Sequence, residues 1–358
     1  MKKIRIADRW IGDEELTYFI ADIASNHDGS LDRAKRLIQL AKEAGAEAAK
    51  FQNFEARKIV SPHGFDSLNG QLSHQAKWEK SVFEVYEEAS IPLSWTEKLY
   101  QFCKEVGIHY FSSPYDFEAV DWLEPYIPAY KIGSGEITWP EMLRKISGKG
   151  KPVILATGAS DIAEVREAVA MIRAINPELI LMQCNTNYTG STENFKHIHL
   201  NVLKTFQALF PEVILGLSDH TPGHATVLGA VALGARIVEK HFTDDTTRSG
   251  PDHSFSMTPV SWREMVLRTR ELEDALGKTE KRVEENEKET VILQRRCLRT
   301  KKDLKAGIIL TSDLIEILRP APRDAIFPYD LERVLGRRLA SDLKEGEYFK
   351  WSHLAPVN

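Results

Sequence analysis

The stretch EAGAEAAKFQ, residues 43–52, carries the pattern that decides the fold: a helical segment ends, a glycine follows, and an apolar strand begins at once. The same order returns in EVGIHYFSS at 105–113 and in ALGARIVEKHF at 232–242. Glycine suits the position just after a helix because the left-handed backbone conformation costs it little. The repeated order of helix, glycine and strand predicts βαβ units and a parallel sheet.

Short apolar runs alternate with helical spacing up to about residue 275, and eight of these runs are strand candidates. Eight strand–helix units of this size match a (β/α)8 TIM barrel, the fold class that we predict. The rival is a doubly wound open sheet, which is disfavoured because no GxGxxG motif follows the first strand. The predicted strands are Phe19–Ala24, Ala48–Gln52, His109–Ser112, Ala129–Ile132, Val153–Ala156, Ile180–Cys184, Val213–Leu217 and Ile237–Lys240.

The sequence changes in texture after the last of these units. Residues 277–290, GKTEKRVEENEKET, are polar and charged, which is typical of a linker or a solvated helix. Beyond them, KDLKAGIILTSDL is echoed near the end by SDLKEGEYFKWSHL. We therefore predict a barrel over 1–276, a linker over 277–290 and a β-rich domain of two similar β-turn units over 291–358. So small a domain is marginal alone, and we expect it to lean on the barrel or on a second chain.

The composition narrows the class of protein. The 358 residues carry a formal net charge of -5, which argues against nucleic-acid binding because such proteins usually need a basic face. Cys103, Cys184 and Cys297 are far apart and not in CxxC spacing, so we expect no disulfide framework or zinc cluster. No apolar run resembles a signal peptide or a membrane span, so we expect a cytoplasmic location and no membrane partner.

Polar and ionisable residues recur where the predicted strands end, the face on which (β/α)8 barrels carry their active sites. Burying so many is costly unless they pair with one another or with a ligand. Their joint placement therefore predicts a binding site. They are Asp22, Ser25, Asn26, His27, Lys50, Gln52, Lys131, Ser134, Glu136, Thr157, Cys184, Asn185, Thr186, Asn187, Tyr188, Ser218, Asp219, His220, Glu239, Lys240, His241, Asp252 and His253.

Two lysines of this set, Lys50 and Lys131, suit a compact polyanion such as a phosphorylated acid, since each offers a point charge with three donors. Ser134 and the N–H groups of the Gly133–Gly135 turn can add hydrogen bonds to phosphate oxygens. The alternative is that each lysine pairs with a nearby glutamate to fix a loop. That alternative suits a lone lysine, whereas the two together favour a ligand.

Two histidines, His220 and His241, end adjacent predicted strands, from which imidazole nitrogens can reach one metal ion. With oxygen donors nearby, a divalent ion with bound waters fits better than structural zinc. The pattern leaves open a second interpretation, in which both histidines hydrogen-bond to barrel loops.

Two carboxylic acids, Glu136 and Asp22, are candidates for general acid or base work. Glu136 follows a Gly-Ser-Gly turn, and burial there would favour its neutral form. The alternative for Glu136 is a surface residue at the start of a helix. Cys184 is not expected to be a nucleophile, because no motif would activate its thiol.

These motifs in this order resemble the sialic acid synthase family, and the stretch from about 290 resembles its antifreeze-like (SAF) domain. The resemblance implies condensation of phosphoenolpyruvate with an N-acylmannosamine-type amino sugar, giving a nonulosonic acid and phosphate by C–O cleavage. It covers almost the whole chain. The motifs are NHDGS at 26–30, KFQ at 50–52, KIGSGE at 131–136, SDH at 218–220, KHF at 240–242 and GPD at 250–252.

The resemblance also implies individual roles. A divalent metal, manganese or magnesium, on His220 and His241 would polarise the sugar aldehyde. Glu136 would handle a proton, and Asp22 is the second catalytic carboxyl. The substrate contacts implied are Lys50, Lys131, Ser134 and Ser218 for phosphoenolpyruvate, and Gln52, Tyr188, Asp252 and Arg319 for the sugar.

The family resemblance further implies a domain-swapped homodimer. In it, the SAF domain of one chain caps the barrel of the other and offers an arginine to the N-acyl group of the sugar. Arg319 in Leu-Arg-Pro matches that arginine. Exchange of this kind agrees with the outside support that so small a domain needs.

Four positions depart from the family pattern. Asp22 stands where glutamate is usual, and Ala156 stands where a serine usually precedes Thr-Gly. The usual Tyr-Pro-Thr-Pro motif is replaced by Tyr-Thr-Gly-Ser at 188–191. The usual Arg-Pro-Gly motif is replaced by Arg-Pro-Ala-Pro-Arg at 319–323, so that Arg323 becomes a rival to Arg319 for the contact with the sugar. Two of these touch the sugar side, so N-acetylmannosamine and 6-deoxy di-acetamido sugars both remain open as acceptors.

Two other functions fit the same residues. A Schiff-base aldolase would use a desolvated Lys131 or Lys240 and no metal. A sugar-binding scaffold without catalysis would explain Asp22 and Ala156, although retention of both lysines, both histidines and Glu136 argues against it.

Overall fold

The computed structural model describes residues 2–68, 75 and 78–356, and the chain divides into two units, one ending at Gly277 and one beginning at Lys278. In the first unit, eight parallel strands form a nearly closed barrel in the order β5-β4-β3-β10-β9-β8-β7-β6. Parallel ladders join seven neighbouring pairs, and β5 and β6 are in contact at the eighth junction. The strands are β3 (Tyr18–Asp22), β4 (Ala48–Asn53), β5 (His109–Pro114), β6 (Tyr130–Ile132), β7 (Val153–Ala156), β8 (Leu179–Cys184), β9 (Ile214–Asp219) and β10 (Ala235–His241).

This arrangement confirms the predicted (β/α)8 class and shows that the open-sheet alternative was wrong. All eight predicted strands are present, with ends that shift by up to two residues. The three glycines of the repeated pattern, Gly45, Gly107 and Gly234, have φ angles of 98°, 76° and 99°. Each therefore adopts a backbone conformation that other residues rarely take, which turns the chain from helix to strand within a few residues.

The helices of the first unit surround the barrel with amphipathic faces. In α1, Ala34, Leu37, Ile38 and Ala41 are buried, with the three- and four-residue spacing that one helix face requires. The Ser30 side chain accepts a hydrogen bond from the Arg33 N–H and so caps this helix. The helices are α1 (Leu31–Glu43), α2 (Ala56–Ile59), α3 (Pro62–Ser67), α4 (Val82–Ala89), α5 (Thr96–Val106), α6 (Phe117–Leu123), α7 (Pro140–Ser147), α8 (Ile162–Arg173), α9 (Val202–Leu209), α10 (Ala225–Ala232) and α11 (Pro259–Leu276). Among the described helices, none has both the length and the apolar character of a membrane span.

An N-terminal hairpin was missed by the sequence analysis, which placed no strand before Phe19. Strands β1 (Lys3–Ile6) and β2 (Arg9–Gly12) pair in antiparallel fashion. Ile4, Ile6 and Ile11 are buried in a cluster with residues from the N-terminal halves of the barrel strands, such as Tyr18 and Ile237. The hairpin thus covers the N-terminal end of the barrel.

The second unit contains α12 (Lys288–Gln294), an antiparallel pair formed by β11 (Cys297–Thr300) and β12 (Ile315–Leu318), and α13 (Leu331–Val334). The two echoing motifs pair with each other. Leu304 and Leu343 exchange both backbone hydrogen bonds, at 2.8 and 3.0 Å. Asp303 accepts a hydrogen bond from the Glu345 N–H, and Asp342 accepts one from the Ala306 N–H. The contacts of the two β-turn motifs therefore mirror one another, which confirms the predicted repeat.

The polar stretch at 277–290 is exposed throughout. It lies mostly outside regular structure, but its end is helical, because a short 3-10 helix covers Glu285–Glu287 and α12 begins at Lys288.

Candidate active site

A cavity of about 390 Å³ lies at the C-terminal ends of the barrel strands. Alternation along each strand sends every second side chain into it: Lys50 and Gln52 line the cavity, whereas Phe51 between them packs into the hydrophobic core. The structure brings to this cavity the eleven barrel residues to which the sequence analysis gave a catalytic or binding role. The other strand-end candidates divide: Ser25, Cys184, Thr186 and Glu239 also line the cavity, whereas Asn26, His27, Thr157, Asn185, Asn187, Asp219, Lys240 and His253 do not. The eleven residues with an assigned role are Asp22, Lys50, Gln52, Lys131, Ser134, Glu136, Tyr188, Ser218, His220, His241 and Asp252.

The floor of the cavity is a cluster of four buried charges. Lys50 Nζ lies 2.6 Å from Asp22 Oδ2 and 3.7 Å from Glu239 Oε1, and Lys131 Nζ lies 3.3 Å from the same Glu239 oxygen. None of the four residues is more than 5% exposed. The Ser218 hydroxyl also donates to Glu239, at 3.3 Å. Glu239 therefore joins the two lysines.

Burial and charge act against each other in this cluster. Burial disfavours the charged form of Lys50, yet the Asp22 and Glu239 carboxylates outweigh it and raise the Lys50 pKa above its ordinary value. For Glu239, burial is outweighed by Lys131 and Lys50, which lower the pKa of the carboxyl. Both lysines are thus ion-paired, as the alternative interpretation expected. Both nevertheless line the cavity, where they can also meet an anionic ligand.

The sequence analysis placed Glu239 among the residues at strand ends but gave it no role. Strand periodicity could have found it, because Glu239 and His241 are two positions apart on β10 and must share a face. The same reasoning separates Lys240, which points to the opposite side of the barrel wall.

The turn after β6 places Ser134 and Glu136 beside the cavity. The Ser134 hydroxyl accepts a hydrogen bond from the Gly158 N–H at 2.9 Å, which ties this turn to the one after β7. A Cβ atom on Gly133 would lie 2.5 Å from Glu136 Oε2, so only glycine lets Glu136 fold back under the turn. The interpretation of Glu136 as a surface residue is therefore wrong.

The Glu136 carboxyl is the strongest acid–base candidate of the site. Its Oε2 atom is buried and has no hydrogen-bond partner among the described residues. Burial raises the Glu136 pKa above its ordinary value, and the nearby Lys131 ammonium offsets only part of this effect. The site thus shifts Glu136 toward its proton-bearing form relative to an exposed glutamate, which makes this carboxyl a candidate proton donor.

The two histidines face each other across β9 and β10, with ring centroids 5.3 Å apart. His220 Nδ1 lies 3.0 Å from the Asn185 carbonyl oxygen, which can only accept, so this nitrogen carries the proton and Nε2 keeps its lone pair. Burial and the neighbouring His241 lower the His220 pKa to about 3, so the ring is neutral.

His241 has carboxylates on both sides. Its Nε2 lies 3.7 Å from Asp22 Oδ2 and its Nδ1 lies 3.9 Å from Asp252 Oδ2, while Nδ1 is buried without a hydrogen-bond partner among the described residues. Two imidazoles with carboxylate oxygens nearby are a donor set that suits a divalent ion. No group of three or more His, Cys, Asp or Glu side chains with metal-binding geometry occurs in the described part of the chain, so any such ion would need further oxygen ligands.

The wall of the cavity beyond the histidines is aromatic and polar. The Tyr188 ring packs edge-on against His220, with centroids 4.4 Å apart. Asp252 Oδ2 accepts from the Ser25 hydroxyl at 2.5 Å and from the Ser25 N–H at 3.2 Å, which holds Asp252 at the rim. Gln52 donates to Asp22 at 3.1 Å, and Ala156 offers only a methyl group to the cavity.

Arg319 lies in the second unit, where it is exposed and its Nε donates to the Gln294 carbonyl at 2.6 Å. Arg323 is also exposed there.

A barrel with paired lysines, histidines and a buried acid at its cavity, followed by a small β-rich domain, is the arrangement that the sequence analysis expected of the resembled two-domain family. The chain belongs to the NeuB family, whose model matches residues 37–281, and an SAF domain matches residues 295–355. The predicted family is thus confirmed.

One named relative and one solved structure agree with this assignment, and a relative without an assigned function is similar over the same length. The chain is 33% identical to N,N'-diacetyllegionaminic acid synthase of Campylobacter jejuni, over 93% of this chain and 99% of that protein. An uncharacterized protein of Methanocaldococcus jannaschii is 34% identical over 99% of both chains. Among solved structures, the N-acetylneuraminic acid (sialic acid) synthetase of Leptospira borgpetersenii has a TM-score of 0.71 and 26% identity, covering 81% of this chain and 95% of that one.

Proposed function

We propose that this enzyme condenses phosphoenolpyruvate with an N-acylmannosamine-type amino sugar in the cytoplasm, giving a nonulosonic acid and phosphate. The observation that carries the proposal is the pair of buried ammonium groups, Lys50 and Lys131, at the floor of the cavity. Phosphoenolpyruvate is a compact polyanion and matches them in charge. The names of the relatives, which are synthases of such acids, support the reaction class.

The residues of the cavity divide the work. Lys50, Lys131, Ser134 and Ser218 hold the phosphate and carboxylate of phosphoenolpyruvate, so that its C3 faces the aldehyde carbon of the open-chain sugar. A C–C bond forms between these atoms, and the aldehyde oxygen takes the proton of Glu136. Water then adds at C2 and gives one proton back to the Glu136 carboxylate. The remaining hydroxyl at C2 passes its proton to the departing phosphate. Cleavage of the C2–O bond releases phosphate with its bridging oxygen and leaves a ketone at C2.

The same proposal includes a divalent ion, manganese or magnesium, held by His220 and His241. The neutral His220 ring and the unpartnered Nδ1 of His241 support it. Such an ion supplies Lewis-acid polarisation of the aldehyde. Asp22 keeps both Lys50 and Gln52 oriented, at 2.6 and 3.1 Å.

The test is phosphate release from phosphoenolpyruvate with manganese, against a panel of 2-acetamido sugars, with EDTA as the control. The proposal expects release that requires one of the sugars and stops with EDTA. Sugar-dependent release that persists in EDTA would remove the metal from the proposal. Absence of release and of phosphoenolpyruvate binding, measured by calorimetry, would favour the sugar-binding scaffold.

The acceptor contact assigned to Arg319 belongs to a proposed domain-swapped homodimer, in which Arg319 of the partner subunit meets the N-acyl group. Arg319→Ala is expected to raise the KM for the sugar about 10-fold or more, because a charged hydrogen bond is lost, and to leave the KM for phosphoenolpyruvate unchanged. Arg323→Ala tests the rival contact in the same exposed stretch: a raised sugar KM for this variant and not for Arg319→Ala would move the contact to Arg323. Equal sugar KM values for both variants and the unchanged enzyme would contradict the assignment.

The Schiff-base alternative has less support. Lys240 does not line the cavity, because its ammonium donates to Asp219 and to the Thr221 carbonyl behind the barrel wall. Lys131 does line it, and borohydride trapping with substrate would label that residue if it formed an imine.

A further inference from the structure

A second buried ion pair lies behind the wall of the barrel, on the opposite face of the strands that carry the two histidines. Lys240 Nζ donates to Asp219 Oδ2, and the two residues are direct neighbours in the register of β10 and β9. Lys240 is 1% exposed and Asp219 is 2% exposed, and neither lines the cavity. The reaction steps described above use neither residue.

The pair belongs to a closed hydrogen-bond network. The Asp219 carboxylate accepts from the Thr226 hydroxyl of α10 at 2.7 Å and from the Thr221 hydroxyl at 2.8 Å. It also accepts from the Thr221 N–H at 3.2 Å, and Lys240 Nζ donates to the Thr221 carbonyl at 2.6 Å. Each polar side-chain atom of Asp219, Thr221, Thr226 and Lys240 has a hydrogen-bond partner, as a rigid buried network requires.

Residues of this network are the direct sequence neighbours of both histidines. His220 lies between Asp219 and Thr221, which are both anchored, and His241 directly follows Lys240. His241 is held on its other side, because its carbonyl accepts from the Met257 N–H at 2.8 Å. Successive side chains of a strand point to opposite faces, so a clamp on the outer face sets where the inner imidazoles stand.

We infer that the Asp219–Lys240 pair is a positioning device that sets the separation of the His220 and His241 imidazoles. The inference rests on the proposed function where it concerns metal binding. A buried pair is a poor source of net stability, since desolvation of both charges opposes their attraction. A role in spacing two ligands gives such a pair a function that an apolar contact would not supply. Outer residues that orient metal ligands typically affect metal affinity by about 10–100-fold.

The experiment compares Lys240→Met, the double variant Asp219→Asn with Lys240→Met, and Leu123→Ala. Lys240→Met leaves a buried carboxylate unpaired, whereas the double variant removes both charges. Leu123 is a fully buried residue of α6, which connects β5 and β6, the strands opposite β9 and β10 in the barrel order. Its replacement lowers Tm without touching the network, and it is the control for a general loss of stability.

Three quantities are measured: Tm by thermal melting and, starting from the metal-free protein, the Kd for Mn²⁺ by calorimetry and the distance between the two imidazole centroids by crystallography. Lys240→Met is expected to raise the Kd for Mn²⁺ by about 10-fold or more and to change the centroid separation from that of the unaltered enzyme, which is 5.3 Å in this structure. The double variant is expected to recover Tm but not the Mn²⁺ affinity. Leu123→Ala is expected to lose Tm and keep both other quantities.

An unchanged centroid separation in Lys240→Met, with the Mn²⁺ affinity of the unaltered enzyme, would overturn the inference. Recovery of Mn²⁺ affinity in the double variant would overturn it as well, because stability alone would then explain the loss. If the unaltered enzyme binds no Mn²⁺, the metal site of the proposed function fails. In that case the centroid separation in the metal-free crystals alone decides the positioning role: a shift supports it and an unchanged pair refutes it.

Discussion

The two ends of the barrel differ in what their strands bury: apolar side chains at the N-terminal end, and charged and polar side chains at the C-terminal end. At the N-terminal end, Ile4, Ile6 and Ile11 of the hairpin pack on an apolar layer. Three polar residues there form a chain of close contacts: the Tyr18 hydroxyl lies 2.6 Å from His109 Nδ1, and His109 Nε2 lies 2.7 Å from the Asp8 carboxylate.

At the C-terminal end, the strands bury charges and leave polar atoms without partners. Glu136 Oε2, Glu239 Oε2 and His241 Nδ1 are buried and unpaired among the described residues. Each such atom costs stability unless a ligand satisfies it. The N-terminal end thus contributes apolar packing to the fold, whereas the C-terminal end leaves buried polar atoms at which a ligand can bind, as the proposed function requires. Mutations at the two ends should therefore separate stability from activity.

The largest expected effect is on activity, at the C-terminal end. His241→Ala should lower kcat/KM in the presence of manganese by more than the roughly 10–100-fold that loss of an outer-shell residue costs, because a proposed ligand itself is removed. Tm should stay close to that of the unchanged enzyme, since His241 Nδ1 has no hydrogen-bond partner among the described residues. Steady-state kinetics and thermal melting check both. Near-full activity without added metal would break the assignment of His241.

The next effect is on stability, at the N-terminal end. Ile6→Ala should lower the free energy of unfolding by about 2–5 kcal/mol, because shortening this fully buried side chain leaves a cavity. The KM values should not change, since no atom of the cavity is touched. Urea denaturation measures the loss, and Arg5→Ala, an exposed neighbour, is the control at about 0.5 kcal/mol or less. A change in substrate KM for Ile6→Ala would contradict the separation of the two ends.

The smallest effect is a pH-dependent stability change at Glu136. Burial raises the folded-state pKa of this carboxyl, so the native state holds the proton more tightly than the unfolded chain. The associated stability is present below the unfolded pKa and is lost as the pH rises toward the folded pKa. Glu136→Gln cannot ionise and should avoid this loss.

Melting curves of the two proteins between about pH 4 and pH 8 test this expectation. The Tm of Glu136→Gln relative to the unchanged enzyme should rise with pH and then level off, by about 2–4 °C for each kcal/mol of avoided loss. A Tm difference that is constant with pH, or that falls, would show that the carboxyl is not held neutral by its surroundings.

The sequence was sufficient for the barrel because its signals are local: three helix–glycine–strand junctions and eight apolar runs. It was also sufficient to bring eleven residues to one cavity, since strand ends meet at one face whatever the details of packing. The hairpin at Lys3–Gly12 was missed because its two short strands bury only three apolar side chains, Ile4, Ile6 and Ile11, and because that burial depends on the barrel strands against which they pack.

Glu239 and Lys240 show a second limit of sequence analysis. They are adjacent ionisable residues, yet Glu239 joins the two substrate-side lysines while Lys240 is sealed behind the wall. Strand periodicity states that they face opposite ways, but only the partners on neighbouring strands tell which face is the cavity. The identity of those partners depends on the register of the ladders, which no short motif encodes.

The proposed C–O cleavage is tested most directly by following the oxygen atom that bridges C2 and phosphorus in phosphoenolpyruvate. With this atom labelled as ¹⁸O, and an accepted 2-acetamido sugar present, mass spectrometry of the products locates the label. The account predicts that the released phosphate carries the ¹⁸O, because the C–O bond breaks after water adds at C2. Label retained in the organic product would mean P–O cleavage and would contradict the proposed reaction.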